Sequence, residues 1–335
     1  MRARPLALFL GTGCFCIIAL ALRHHIFQVA EVARTYATFH RLVEKHPELL
    51  YRYPEPAEGP ERVPKRIHHI ALGGGTQVSE HDEAIRSCRE PHPTWEHHVW
   101  TDDKAVEFLQ EHYPDILPHY TGYAQNIQRA NVLRYALLHK LGGVYLDLDV
   151  SCHVALDSTP IVRLPLVTPG AYPAGVNNAF IAAQPRHPFL ARVLDQVPHH
   201  DMFWGVPMRI PYVENMMSTG CMFFTNRWMS HVRDLLAGRQ DQPVYVLADA
   251  EGRMEPHMLR GRVTTPLFTH GGASSWHGWD AALILVIGKH YLVFGALLCA
   301  TVVGTGLAAV HLCKASRRRS WFRRRSWTAG LAKGA

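Results

Sequence analysis

The sequence predicts an α/β domain, a mostly parallel sheet with helices on both faces, held between two membrane-spanning segments. Three observations carry that expectation. Strand-like and helix-like stretches alternate from residue 63 onward, the order that places a parallel sheet between helices. The stretch 126–151, NIQRANVLRYALLHKLGGVYLDLDVS, reads as a helix, a Gly-Gly stop and a strand. Uncharged runs at 6–22 and 291–312, 17 and 22 residues long, approach or reach the length that crosses a hydrocarbon core.

In chain order, 1–23 is read as an uncleaved N-terminal anchor, since no small-residue cleavage site precedes Arg23-His24-His25. Residues 24–60 are a stem and linker: an amphipathic helix over 27–50, then the Pro/Gly-rich YPEPAEGP. The folded domain is expected over 61–280. Its first strand is 63–72, ending at Gly73-Gly74-Gly75, which is no phosphate-binding P-loop because no Gly-Lys-Ser/Thr follows. A helix from about residue 80, a strand at 95–102 and a helix at 103–112 come next. In the 126–141 helix, Ala130, Leu133, Leu137 and Leu141 form one stripe, with Asn131 and Arg134 beside it. Gly142-Gly143 ends that helix. Alternation over 144–150 puts Tyr145, Asp147 and Asp149 on one strand face. Residues 162–167, with Pro165, suit an edge strand. Residues 177–183 read as another strand, and a helix opens at His187-Pro188. After 281–313, the C-terminal membrane segment, a basic tail at 314–335 marks a cytoplasmic end, so both termini face the cytoplasm and the domain is lumenal.

The net charge of +7 is misplaced for a nucleic-acid groove. Basic residues crowd the ends, and residues 23–280 carry 24 Lys and Arg against 28 Asp and Glu. No Cys-x-x-Cys pair exists, and Cys88, Cys152 and Cys221 allow one disulfide at most within the globular part. His-His doublets on strands point to opposite faces and chelate poorly.

Two carboxylates as close as Asp147 and Asp149 raise each other's pKa unless a cation lies between them. Oxygen ligands suit Mg²⁺ or Mn²⁺, which bind one or two carboxylates together with substrate phosphates. ANVLRYALLHKLGGVYLDLDV resembles the core motif of the glycosyltransferase family 32 enzymes, A-D-x-x-R-Y-x-x-L-x-x-x-G-G-x-Y-x-D-x-D, with Asn131 where the family usually has Asp. VPKRIHHIAL, the Trp-Thr-Asp at the end of 95–102, the Asn-rich NNAFIAA, Ser218-Thr219-Gly220 and Ser275-Trp276-His277 resemble further family segments.

The resemblance implies a GT-A-like Rossmann-type fold and retaining transfer of a sugar from a nucleotide donor, dependent on Mn²⁺ or Mg²⁺. It implies Asp147, Asp149 and Arg134 as catalytic residues, with Asp149, Asp147 and His277 on the metal. Ser275 and His270 are further candidates to complete the metal's coordination or hold the diphosphate. Asn131, Tyr145, Trp100, Asn177, Asn178, Ser275 and Trp276 are expected at the donor. Membrane segments with an SSWH ending resemble the inositol phosphorylceramide mannosyltransferases, implying GDP-mannose, a membrane-lipid acceptor and a Golgi (or ER) membrane. A glycan acceptor, a different sugar donor, a regulatory subunit and an inactive regulatory scaffold are the alternatives; nucleic acid is not an expected partner.

Overall fold

The computed structural model describes residues 23–74, 78–171, 174–200, 210–254, 262–272 and 278–290, with residues 17 and 20 and most of 293–308. The chain divides into two compact units, 1–278 and 279–335.

The first unit opens with α1 (Arg23–Lys45) and the short strand β1 (Leu50–Arg52). The strands β2 (Arg66–Ile70) and β3 (Glu96–Trp100) flank α2 (Asp82–Arg89), and α3 (Asp102–His112) and α4 (Leu117–Gly122) lead to α5 (Asn126–Leu141). Then come β4 (Gly143–Leu146), β5 (Val150–Cys152), β6 (Leu166–Pro169), β7 (Phe180–Ala183) and α6 (Pro188–His200). The unit closes with α7 (Pro211–Ser218), α8 (Cys221–Leu236), β8 (Tyr245–Ala248), β9 (Val263–Thr264) and β10 (Phe268–His270).

The main sheet has seven strands in the order β1-β8-β6-β7-β4-β2-β3. Its pairs are parallel except the two made by β7, which runs antiparallel to both β6 and β4. This is the expected mostly parallel sheet, with one inverted strand. A second sheet, β5-β10-β9, is antiparallel throughout.

Strand alternation separates two cores. Tyr145, Ile181 and Ala183 point to one, which also takes Phe39 of α1, Phe108 of α3, Phe189 of α6 and Trp228 of α8. Val144, Leu146, Phe180 and Ala182 point to the other, closed by Cys88 of α2, Val150 of β5 and Phe268 of β10. One face is therefore covered by helices. The opposite face is covered mainly by the small sheet and α2, where helices alone were expected.

Four expectations change. The strand expected over 144–150 stops at Leu146: the Asp147 N–H bonds Ala179 O, and the Val150 N–H bonds back to Asp147 O, so 147–150 is a turn between two sheets. The segment 162–167 is no edge strand, because β6 lies between β7 and β8 and Pro165 falls just before it. The stripe expected on α5 is too narrow: Val132, Leu133 and Tyr135 through Leu138 are all fully buried, which makes α5 a core helix. The sheet also draws on chain ahead of the 53–60 linker, since β1 pairs with β8. There α1 is no free stem. It packs on α8, with Thr35 Oγ1 donating to Asn226 Oδ1 at 2.7 Å, Glu31 paired to Arg227, and Phe39 against Trp228.

Gly142 and Gly143 are required by both conformation and space. Both have positive φ, 64° and 101°, and a Cβ at Gly143 would lie 2.7 Å from Arg66 O. A disulfide joins Cys88 to Cys152 and pins α2 to β5. The second unit holds α9 (Trp279–Lys289), which contains the apolar 281–288 segment. Among the described residues no helix is long and apolar enough to cross a membrane. The run 6–22 lies outside the described residues except for Ile17 and Leu20, and 291–312 lies partly outside them.

Candidate active site

The parallel strands β2, β3 and β4 end on one edge of the sheet, and the antiparallel β7 begins there. Ligand sites of open α/β sheets lie off this edge. Asp147 follows the last residue of β4, and Asn178 precedes β7. The turn carries the chain through Asp149 into β5, which pairs with β10 so that His270 stands opposite Val150. Gly271 N–H donates to Asp149 O at 2.8 Å and holds this corner closed.

Asp147, Asp149 and His270 thereby converge, each offering a ligand atom within 4.8 Å of the others. His270 Nε2 lies 3.3 Å from Asp149 Oδ1 and 3.8 Å from Asp147 Oδ2. Two carboxylates and an imidazole, half-buried, fit a small divalent cation such as Mg²⁺ or Mn²⁺.

Behind the cluster, the Arg134 guanidinium is buried at 2% exposure. Its Nη1 lies 3.3 Å from Asp147 Oδ1 and donates to Asn178 O at 2.6 Å, while its Cζ sits 4.4 Å over the Tyr145 ring. Tyr145 OH donates to Asp147 Oδ1 at 2.6 Å. Burial opposes ionisation of Asp147, but Arg134, then His270 and Tyr145, outweigh it and hold the carboxyl below the usual carboxylate range. Burial likewise opposes protonation of His270, yet Asp147 and Asp149 prevail and raise its pKa.

Asn131 lies beneath, buried in a network of amides and hydroxyls. Its Nδ2 donates to Asn215 Oδ1 at 2.8 Å and Thr219 Oγ1 at 3.2 Å, and its Oδ1 accepts from Asn178 Nδ2 at 3.1 Å. Asn178 Nδ2 also donates to Tyr135 OH at 2.7 Å, and Cys221 Sγ reaches Asn178 Oδ1 at 2.9 Å. The chain of contacts therefore runs Asn131–Asn178–Arg134–Asp147. The two asparagine side chains are bonded within this network, and the Asn178 backbone carbonyl holds the arginine.

Of the expected residues, Asp147, Asp149, Arg134, Tyr145, Asn131 and Asn178 gather. Trp100 and Asn177 are occupied by other partners. Trp100 Nε1 donates to His68 Nδ1 at 3.2 Å and its ring packs edge-on to Phe108. Asn177 accepts the Ala179 N–H at 2.6 Å, an Asx turn that starts β7. Ser275, Trp276 and His277 lie outside the described residues, and among the described residues the histidine that meets the aspartates is His270.

Sequence reasoning missed Asn215 and the bracing role of the His68-His69 doublet. His68 Nε2–H donates to Gly142 O at 2.9 Å and His69 Nδ1–H to Leu146 O at 3.1 Å, so the pair clamps both ends of β4. Burial lowers both to about 4, which keeps them neutral. No local pattern marks such a role.

Residues 79–163, which hold Asn131, Arg134 and both aspartates, match the family described as glycosyltransferase sugar-binding region containing DXD motif. It is 32% identical over 240 residues to mannosyl phosphorylinositol ceramide synthase SUR1 of Saccharomyces cerevisiae, covering 71% of this chain and 58% of that one. It is 33% identical over 211 residues to inositol phosphoceramide mannosyltransferase 3 of Schizosaccharomyces pombe, covering 63% and 55%. To inositol phosphoceramide mannosyltransferase 1 of the same yeast it is 29% identical over 251 residues, 72% of each chain. The chain thus spans a little over half the length of the first two relatives. Among solved structures, PaToxG glycosyltransferase aligns at a TM-score of 0.39 and 17% identity over 65% of this chain and 83% of that one, too slight a likeness to argue from.

Proposed function

We propose that the protein transfers mannose from a nucleoside diphosphate donor, GDP-mannose, to the inositol headgroup of a phosphorylceramide lipid, with retention of configuration. One observation carries the chemistry: Asp147, Asp149 and His270 converge at the ligand edge of the sheet, with Arg134 locked behind them. The names of the yeast relatives support the sugar and the acceptor. The uncharged runs at 6–22 and 291–312 and the basic tail support a Golgi membrane protein with a lumenal catalytic domain.

Asp149, Asp147 and His270 would hold Mn²⁺ or Mg²⁺. Such an ion, when bound, neutralises charge on a departing diphosphate. Arg134 keeps Asp147 ionised and oriented without reaching solvent itself. Tyr145 fixes the same carboxylate from the side, so the acid presents one orientation to the donor. No further carboxylate joins the cluster as a nucleophile among the described residues, which agrees with a front-face route in which the leaving diphosphate takes the acceptor proton.

The test is transfer by membranes expressing the full chain, given labelled GDP-mannose, inositol phosphorylceramide and Mn²⁺, with Asp149→Ala as control. A labelled lipid made by wild type and lost in the variant is the expected result. Donor hydrolysis without lipid product would point to another acceptor. Absence of transfer, hydrolysis and nucleotide binding would sink the enzymatic reading.

A further inference from the structure

Helix α1 has two apolar faces, and only one is covered. Thr35 and Phe39 turn inward to α8, and Gln28 is buried as well. On the opposite face, at helical spacing, stand Ile26, Val29, Ala30, Ala33, Tyr36 and Ala37. Ile26 and Val29 are each 55% exposed and the adjacent Phe27 is 66% exposed. Such an uninterrupted apolar surface on a domain that is otherwise mildly acidic calls for an occupant.

Charge identifies it. Arg23, Arg34 and Arg41 flank the face, all exposed, and no described acid pairs with them. Of the two acids in α1, Glu31 is turned inward to Arg227, and Glu44 is exposed in the last turn, beyond the apolar stretch. Apolar side chains bordered by arginines form the pattern of a helix lying in a bilayer interface against anionic headgroups. The uncharged run 6–22 leads directly into α1, and its two described residues, Ile17 and Leu20, are exposed as well.

We propose that the outer face of α1 rests on a bilayer leaflet containing anionic phosphodiester lipids and holds the active site at headgroup height. The geometry supports the second half. Thr35 and Phe39 pack on Asn226 and Trp228 of α8, which lie roughly 8–11 Å along that helix from Cys221 at 1.5 Å per residue. Cys221 itself touches Asn178 of the site. The contact surface stands on the exposed face alone. That the anionic lipid includes the acceptor rests on the function proposed above, since a phosphorylinositol lipid carries one negative phosphodiester.

The experiment is fluorescence quenching in full-length protein reconstituted into vesicles of phosphatidylcholine, with or without phosphatidylinositol, containing brominated lipid. One variant carries Val29→Cys with Cys14, Cys16, Cys299 and Cys313 changed to serine, buried Cys221 retained and a bimane label at position 29. A second keeps native Cys299, exposed in the apolar C-terminal helix, as the labelled reporter of membrane insertion. The label at 29 should lose at least half its fluorescence, more with phosphatidylinositol than without. Changing Arg34 and Arg41 to Glu should abolish that lipid difference. Quenching at 299 but not at 29 overturns the inference and leaves the membrane reading intact. Quenching at neither position overturns both. A 29–29 cross-link between copies with no quenching assigns the face to a second molecule and likewise overturns it.

Discussion

At the scale of single residues, the site depends on which atoms are already occupied. Asn131 stands where the resembling family has aspartate, yet its amide makes two donated bonds that a carboxylate cannot make. Asn131→Asp should therefore destabilise the fold by about 1–3 kcal/mol, the cost of buried partners left unpaired, and lower transfer by setting a second carboxylate one turn from Arg134. Urea unfolding with parallel rate measurements would show it. A stable and faster variant would mean that Asn215 and Thr219 simply turn round to serve the acid. His270 adds a pH dependence. Its pKa is raised, so the proton it holds stabilises the apo fold below the ordinary imidazole pKa, and that contribution fades as pH rises through the raised value. Metal binding has the opposite sign, because the ligand must be neutral. Mn²⁺ affinity measured by calorimetry should climb from pH 6 to 8, and His270→Gln should weaken binding and flatten the climb. Asp147 contributes on the other side: its stabilisation is present above the ordinary carboxylate pKa and is lost as pH falls through its lowered value.

At the scale of elements, the two strands that deliver the aspartates and His270 are short. β5 and β10 have three residues each, too few to fix their own position. The Cys88–Cys152 bridge supplies the missing constraint by tying the far end of β5 to α2 across a 64-residue separation. A loop of that size corresponds to roughly 4 kcal/mol of unfolded-state entropy. Replacing both cysteines by serine should lower the unfolding free energy by about that amount and weaken Mn²⁺ binding more than it disturbs the main sheet. Denaturant curves of the variant, with and without Mn²⁺, test this; an unchanged midpoint would show that the small sheet stands without the bridge. Cysteine placement set a limit of one disulfide within the globular part. Its pairing was not legible, because three cysteines give no preference until the fold brings two together.

At the scale of the whole molecule, the N-terminal helix is part of the fold that carries the candidate site. Removing residues 1–60, at the boundary the linker composition suggests, would take away α1 and β1, uncover Trp228 and expose the β8 edge. That truncation should fail to unfold cooperatively in a thermal melt followed by circular dichroism, whereas removal of residues 1–22 should leave the transition intact. A sharp transition in the shorter chain would show that α1 only leans on the domain.

The sequence by itself determined the alternating α/β order, the helix ending at Gly142-Gly143, and Arg134, Asp147 and Asp149 as site candidates, because each lies within a window of a few turns. It also marked His270 as one of three candidates near the domain's end. Only the tertiary structure decided that the strand breaks at Leu146, that β7 runs backwards, and that His270 meets the aspartates. It also decided that Asn131 and Asn178 face Arg134 through a closed network. Those outcomes depend on ladder bonds and contacts between segments about 30 to 120 residues apart, and no local periodicity records which distant backbone group a given amide will find.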